Sequence, residues 1–408
     1  MYAYVKSIAT KCQLLKFVTV LADLTKKKNH QRQIRKNLLK ELGLSSPATG
    51  DQFSAGNNIP IYEVAIQSQE CQYPPHHHWI YEQEDIGNQW RSHLVDGKMK
   101  DKRNPRYPLH LLDPQKLQLD IPANESAIII DSTTGVLVGL VLRNFSGGNR
   151  EVLEWATGVA LEATEWQKSV RVNNTGSIVI EGFTAGQRSC PKFNWVNNLN
   201  YKFKNKPIEV INNQRCRVAL LFGLGWNLMK KKSHPTVVDD FQTYVKTHGL
   251  PRMTPTGQNG YSIKAGSQIL EFPGEECAPP SGCISTNFSR YMHTEKNGNQ
   301  YVAFWNLART HGTEAGANFF IASYGIRICN SPDSHVAFRA ADSHGTSLPL
   351  RTNDFMQTGP AFLIGNRLAQ QWKKFVQGAV SDKEIEDDLV DDHADSSDEV
   401  RLSRGLYL

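Results

Sequence analysis

Apolar positions along the chain mark out its elements. Leu14, Leu15, Val18, Leu21 and Leu24 recur at helical spacing, as do Ile34, Leu38, Leu39 and Leu42, and Gly43 supplies a stop. This predicts a basic helical N-terminal arm over residues 1–45. Residues 46–117 are rich in Pro, Gly, Asn, Gln and His and show little periodicity, which predicts an irregular wrapping segment. From residue 118 the pattern alternates. Short strands are expected at 127–131 and 136–142, joined by a turn around Thr134-Gly135, and another at 177–183. Helices are expected at 149–166, where Val152, Val159, Ala163 and Trp166 share a face, and at 235–247. Pro235 suits the first turn of the second helix and Gly249 lies just past its end. A run of strands comes next, at 262–272, 284–293, 300–308, 318–328, 334–340 and 362–364, then a closing helix at 368–375. Many strands with turn residues between them, after two helices, predict an α+β domain over 118–378: a β-sandwich or jelly roll buttressed by helices.

Composition narrows the class. Mean hydropathy is −0.45, with 39% hydrophobic and 21% charged residues, which excludes a wholly disordered chain and a membrane-embedded one. No window approaches 18 uncharged apolar residues, so no membrane span is expected. Lys6, Lys11 and Lys16 interrupt the N-terminus, which does not read as a signal peptide. Seven irregularly spaced cysteines without a C-x-x-C pair favour free thiols over a disulfide framework. A zinc site at Cys71 with His76, His77 and His78 lacks a second ligand pair. The net charge of +6 is unevenly spread: residues 381–399 hold ten acids against Lys383, so a basic body carries an acidic tail, expected to be disordered over 379–408. A basic body fits a polyanionic partner, most simply nucleic acid; a solvated surface is the alternative.

The chemistry concentrates in Arg290-Tyr-Met-His293-Thr-Glu295-Lys-Asn297. On a strand, residues i and i+2 face one side, so His293 and Glu295 would present an imidazole and a carboxylate together. His344 lies 51 residues on, just past the strand at 334–340, far enough for several strands to bring the two ends together. Two histidines and one carboxylate occupy one face of an octahedral Fe(II). Three positions stay open, two for a 2-oxo acid and one for O2, which oxidative hydroxylation requires. A structural histidine beside a surface glutamate is the competing reading. His393-Ala-Asp395 repeats the spacing inside the acidic tail, with no later histidine, and is discarded.

His293-Thr-Glu295 with Asn297-Gly-Asn, then Phe319-Phe320 and Tyr324-Gly325-Ile326, then His344-Gly-Thr-Ser-Leu, resembles the fungal branch of the TET/JBP dioxygenases, whose genes often accompany mobile elements in mushroom-forming fungi. Gln357-Thr-Gly-Pro-Ala-Phe-Leu-Ile-Gly-Asn-Arg367-Leu and Trp372 are similar to the region beyond the distal histidine in that family. The resemblance covers about residues 120–375. It implies a double-stranded β-helix, Fe(II), 2-oxoglutarate as co-substrate, O2, and a methylated base in duplex DNA as substrate: 5-methylcytosine hydroxylation, N6-methyladenine demethylation, or both. A nuclear monomer with no membrane association is expected. The chain departs from the family in having Glu295 where Asp is usual.

A second departure concerns the co-substrate. Its distal carboxylate needs a cation, ideally a bidentate arginine. The family supplies one on the last strand, yet residues 354–360 contain no Arg or Lys. Arg351, Arg367 and Arg290 are the candidates, with a surface role the alternative for each. A methyl on a paired base is out of reach of a buried iron, so the nucleotide must flip out. Asn297 is placed to line the base pocket, or simply to form the Asn-Gly-Asn turn. Phosphate contacts are assigned to Lys28, Arg32, Arg35, Lys36, Lys202, Lys204, Lys230 and Lys231. Two other readings stay open: a catalytically inactive DNA-binding protein derived from a mobile element, and a 2-oxoglutarate hydroxylase acting on a protein or small molecule.

Overall fold

The computed structural model describes residues 59–95, 107–171, 174–184, 193–254, 260–272 and 274–378, together with Lys26, Asn29 and Gln33, which are helical. The rest of the N-terminal arm and the acidic tail lie outside the described residues.

The first part contributes β1 (Ile61–Val64), β2 (Trp79–Tyr81), α1 (Glu84–Leu94), β3 (Leu109–Leu111), β4 (Leu119–Ile121), β5 (Ala127–Asp131) and β6 (Leu137–Leu142). The segment expected to be irregular thus holds a helix and short strands. Its apolar residues are too few per element to show a period, and they fold by packing on the rest: Trp79, Tyr81, Trp90 and Leu94 cluster with Tyr291 and Leu348. Next come α2 (Arg150–Trp166), β7 (Thr175–Thr184), β8 (Asn194–Trp195), α3 (Ile208–Lys232), α4 (Pro235–His248), β9 (Tyr261–Ala265), β10 (Gln268–Phe272) and β11 (Ser281–Ser289). The last part is β12 (Tyr301–Asn306), β13 (Ala308–Arg309), β14 (Phe319–Ile321), β15 (Ile326–Ile328), β16 (Ser334–Arg339), β17 (His344–Thr346), β18 (Gln357–Phe362) and α5 (Asn366–Val376).

Ten strands form one large, mainly antiparallel sheet in the order β1-β5-β6-β16-β12-β18-β11-β7-β8, with β13 on β18. Four form a smaller sheet, β17-β14-β15-β4. From β11 onward the chain alternates between them: β11 in the large sheet, His293 bridged to the small one, β12 large, β14 and β15 small, β16 large, β17 small, β18 large. Period-2 patterning drives this. Along β12, Tyr301, Ala303 and Trp305 join the core under the helices, while Val302 and Phe304 pack between the sheets with Phe319, Phe338 and Val336. α2 and α3 cover the outer face of the large sheet. α2 is capped by Asn149, whose Oδ1 accepts from Val152 N–H at 3.1 Å. α3 is unmarked in the sequence pattern because it is buried nearly all round in its second half, so it shows no polar stripe. Gly225 lets it approach the sheet: a Cβ there would stand 2.8 Å from the Phe362 ring. Trp166, Trp195 and Trp226 are buried here, as core.

Candidate metal centre

The site forms where the chain crosses between the sheets. His293 and His344 face each other as an antiparallel pair, with reciprocal N–H to O=C bonds of 2.8 Å. Directly opposed residues put their side chains side by side, and the two imidazole centroids are 4.4 Å apart. Each ring is fixed by its own backbone. His293 Nδ1 donates to Tyr291 O at 2.7 Å, and His344 Nδ1 to Asp342 O at 2.8 Å. That assigns the proton to Nδ1 and leaves each Nε2 lone pair facing the site.

Glu295 arrives differently from the strand logic. It lies beyond the bridge, in irregular backbone, and its N–H donates to Ala340 O at 3.0 Å. Glu295 Oε1 sits 3.3 Å from His293 Nε2 and 2.7 Å from Arg290 Nη1. One donor atom from each of His293, Glu295 and His344 falls within 4.8 Å of the others, the one such group among the described residues. Cys71 is exposed and joins no group.

The electrostatics suit a divalent cation. Burial, reinforced by Arg290 and His344, holds the His293 imidazole well below its usual value, and burial likewise lowers His344. Both rings are neutral and able to donate. Burial opposes ionisation of Glu295, but its close contacts with His293 and the positive charge of Arg290 outweigh it and hold the carboxyl well below its ordinary range. Two neutral imidazoles and one carboxylate with convergent donors fit Fe(II) or a similar borderline cation.

Walls and supports come from both sheets. Phe338 packs 4.6 Å from His344. Arg339 holds Asp342 at 2.8 Å and also donates to Tyr324 Oη, stiffening the turn before His344. On the other side Asp240 of α4 accepts from Asn299 Nδ2, Gln300 N–H and Tyr301 N–H at 3.0, 3.1 and 2.8 Å. Asn299 Oδ1 accepts from Ile364 N–H at 3.1 Å. The turn after Glu295 is thus anchored to a helix and to the end of β18. Sequence reasoning missed Asp240, Asp342 and Arg339, because nothing local marks a polar residue as a support for ligands that fold against it from elsewhere in the chain.

No protein-family model and no curated protein matches the sequence. Among solved structures the chain is similar to NgTET1 in complex with 5mC DNA, at 8% identity and a TM-score of 0.38, covering 60% of this chain and 78% of that one. It is also similar to a 2OG-Fe(II) oxygenase family protein from Burkholderia pseudomallei, at 11% identity and TM-score 0.29 over 56% and 87% of the two chains. A third is the prolyl hydroxylase of Trichoplax adhaerens in complex with a hypoxia-inducible-factor peptide, at 8% identity and TM-score 0.28 over 57% and 86%.

The remaining candidates are scattered. Arg290 is the arginine brought to the three ligand residues, and its buried Nε has no partner. Arg351 is exposed, its guanidinium 5.5 Å over Trp90 of α1 and its N–H on Gln89 Oε1. Arg367 is half-buried in the first turn of α5, which comes after the Asn297–Gly365 bridge. Asn297 has a buried Nδ2 with no partner close to Glu295. Lys202 and Lys204 are exposed in the turn before α3, whereas Lys230 is paired with Glu275 at 2.8 Å and Lys231 is half-buried. Lys28, Arg32, Arg35 and Lys36 lie outside the described residues.

Proposed function

We propose that the chain is an Fe(II)- and 2-oxoglutarate-dependent dioxygenase on a jelly-roll (double-stranded β-helix) core, oxidising the methyl group of a methylated base in duplex DNA. One observation carries the reading: His293, Glu295 and His344 converge between two sheets with both Nδ1 atoms held by carbonyls. With 2-oxoglutarate and O2, iron held there supplies the oxidant for a methyl C–H bond. The chain's residues do the rest. His293 and His344 offer Nε2, and Glu295 offers its carboxylate. Arg290 steadies Glu295 and keeps a buried N–H for a co-substrate carboxylate; Arg351 and Arg367 remain the alternative anchors. Phe338 and Phe319 exclude water on the inner side. Asn297 offers a free amide to a flipped base. Exposed Lys202 and Lys204 support a salt-sensitive hold on phosphates. A nuclear, monomeric enzyme fits this substrate.

The test is a reaction of the full-length protein with Fe(II), 2-oxoglutarate and ascorbate on duplexes carrying 5-methylcytosine or N6-methyladenine, with nucleosides read by mass spectrometry. A hydroxylated methyl on carbon persists, whereas one on nitrogen collapses to formaldehyde and the bare base, so the product identifies the substrate. Conversion lost in His293→Ala supports the proposal. Succinate release without base conversion would transfer the activity to a protein or small molecule. Absence of metal and 2-oxoglutarate binding would leave a DNA-binding protein.

A further inference from the structure

A cavity lies at β8, the edge strand of the large sheet, and the start of α3, away from the inter-sheet metal residues. It has a volume of about 490 Å³, the size that takes a small ligand. Its apolar lining is Trp195 of β8, Leu199, and Ile208 and Ile211 of α3. Lys204 and Arg215 stand at it as cations. Arg215 is oriented by Asn197, with Nη2 3.2 Å from Asn197 Oδ1.

Buried polar atoms on the elements beside it lack partners. Trp195 is 7% exposed and its indole Nε1–H has none. Gln214, 5% exposed and beside Arg215 on α3, has an unpartnered Nε2. Gln167 at the end of α2 uses its Nε2 on Glu181 at 2.7 Å and leaves Oε1 unmet. Glu181, fully buried on β7 two residues before Phe183, leaves Oε2 unmet. Burial pushes the Glu181 carboxyl up to about 8, with the Gln167 hydrogen bond and the Arg215 charge opposing, so it is mainly neutral at pH 7. Of these atoms, the Trp195 indole N–H belongs to the cavity lining, where an orphan donor is costly unless something satisfies it. A simple anion would use the cations and leave this donor in its apolar surroundings alone. An indole with an unmet N–H, an aliphatic lining and two cations match a ring with a hydrogen-bond acceptor on its edge that carries a negative group.

We propose that this cavity binds a mononucleotide, its base against Trp195 and the aliphatic wall and its phosphate at Lys204 and Arg215. This does not depend on the reading of the metal centre. The experiment is an NMR titration of full-length protein carrying ¹⁵N-labelled tryptophan, with the Trp195 indole peak identified by its absence in Trp195→Phe. AMP, UMP, adenosine, uridine and inorganic phosphate are added separately. The nucleotides are expected to move the Trp195 indole peak and leave the other indoles in place, the nucleosides to bind more weakly, and phosphate alone to leave it still. Lys204→Ala with Arg215→Ala is expected to weaken nucleotide binding at least about tenfold, with the remaining indole peaks showing an intact fold. His344→Ala is expected to change nothing here. A Trp195 peak unmoved by millimolar nucleotide would overturn the proposal. So would an equal response to phosphate, equal affinity for nucleosides, or loss of the response in His344→Ala.

Discussion

Replacing Asp240 by Asn tests whether the metal centre is held from outside. The carboxylate takes three hydrogen bonds from the turn after Glu295, two on Oδ2 (Asn299 Nδ2 and Tyr301 N–H) and one on Oδ1 (Gln300 N–H). Asparagine keeps one carbonyl oxygen, which can retain the Oδ2 pair without the charge. Its amide then faces the Gln300 N–H, donor against donor. Charge-assisted bonds contribute about 1.5–3 kcal/mol and neutral ones about 0.5–1.5, so two weakened bonds and one lost bond amount to about 3.5–6 kcal/mol. Water reaches the exposed Gln300, which brings the expected loss down to about 2–3 kcal/mol. The turn joins Glu295 to β12, so metal binding must order what the mutation has loosened. Outer partners of metal ligands typically carry about 10–100-fold in affinity, and a weakening near tenfold is expected. Mn(II) titration followed by electron paramagnetic resonance gives the affinity, and thermal unfolding gives the stability. A lower melting temperature with unchanged Mn(II) affinity would refute the reasoning and make Asp240 a helix-docking contact only.

Three further outcomes are expected from the same geometry. Fe(II) or Mn(II) at about 100 times its Kd should stabilise the protein by about 2.7 kcal/mol in thermal unfolding, an increment absent in His344→Ala. Gly345→Ala should destabilise by about 1–3 kcal/mol and lower metal affinity, since a Cβ there meets Met292 Cε at 2.4 Å and Arg290 O at 2.9 Å; an unchanged melting curve would contradict this. Glu181 has a raised folded-state value of about 8, so the unfolded chain loses its proton first and stability falls as pH rises; from about pH 5 to pH 8 the loss approaches about 3–4 kcal/mol, and Glu181→Gln should flatten that slope in urea unfolding.

Legibility in the sequence depends on how local each signal is. α2 and α4 are readable because cap, period and stop sit within one segment: Asn149 to Trp166, Pro235 to Gly249. The stretches 262–272 and 318–328 read as apolar runs but not as pairs. Each breaks where the backbone turns back, at Gly266 with φ 57° and around the turn Ala322–Tyr324 ending at Gly325 with φ 60°. The sheet order is not readable, because pairing β11 with both β18 and β7 depends on contacts across many tens of residues. His293, Glu295 and His344 can be nominated by type and spacing. That their rings lie 4.4 Å apart requires the small sheet. The co-substrate anchor stays open for a related reason: the alternate positions Gln357, Gly359 and Ala361 of β18 carry no cation, and a partner from elsewhere in the chain is not visible in a local pattern.

The longer carboxylate finds its explanation in the backbone. Were residues 293–295 a regular strand, an Asp at 295 would hang beside His293 by the two-residue repeat alone. Instead the strand geometry ends at His293, and Glu295 is held by its own N–H on Ala340, at the end of β16 in the other sheet. With its backbone tied to Ala340, its carboxylate reaches to 3.3 Å from His293 Nε2. Glu295→Asp withdraws the carboxylate by one C–C bond, about 1.5 Å. Arg290 loses its 2.7 Å partner and the three donors no longer close on one point. Mn(II) affinity should fall by more than about tenfold while the melting temperature of the metal-free protein changes little, because Glu295 is partly exposed and its backbone bond is kept. Undiminished metal binding by Glu295→Asp would mean that the turn itself can move inward, and that the anchoring by Asp240 and Ala340 does not set the reach of this ligand.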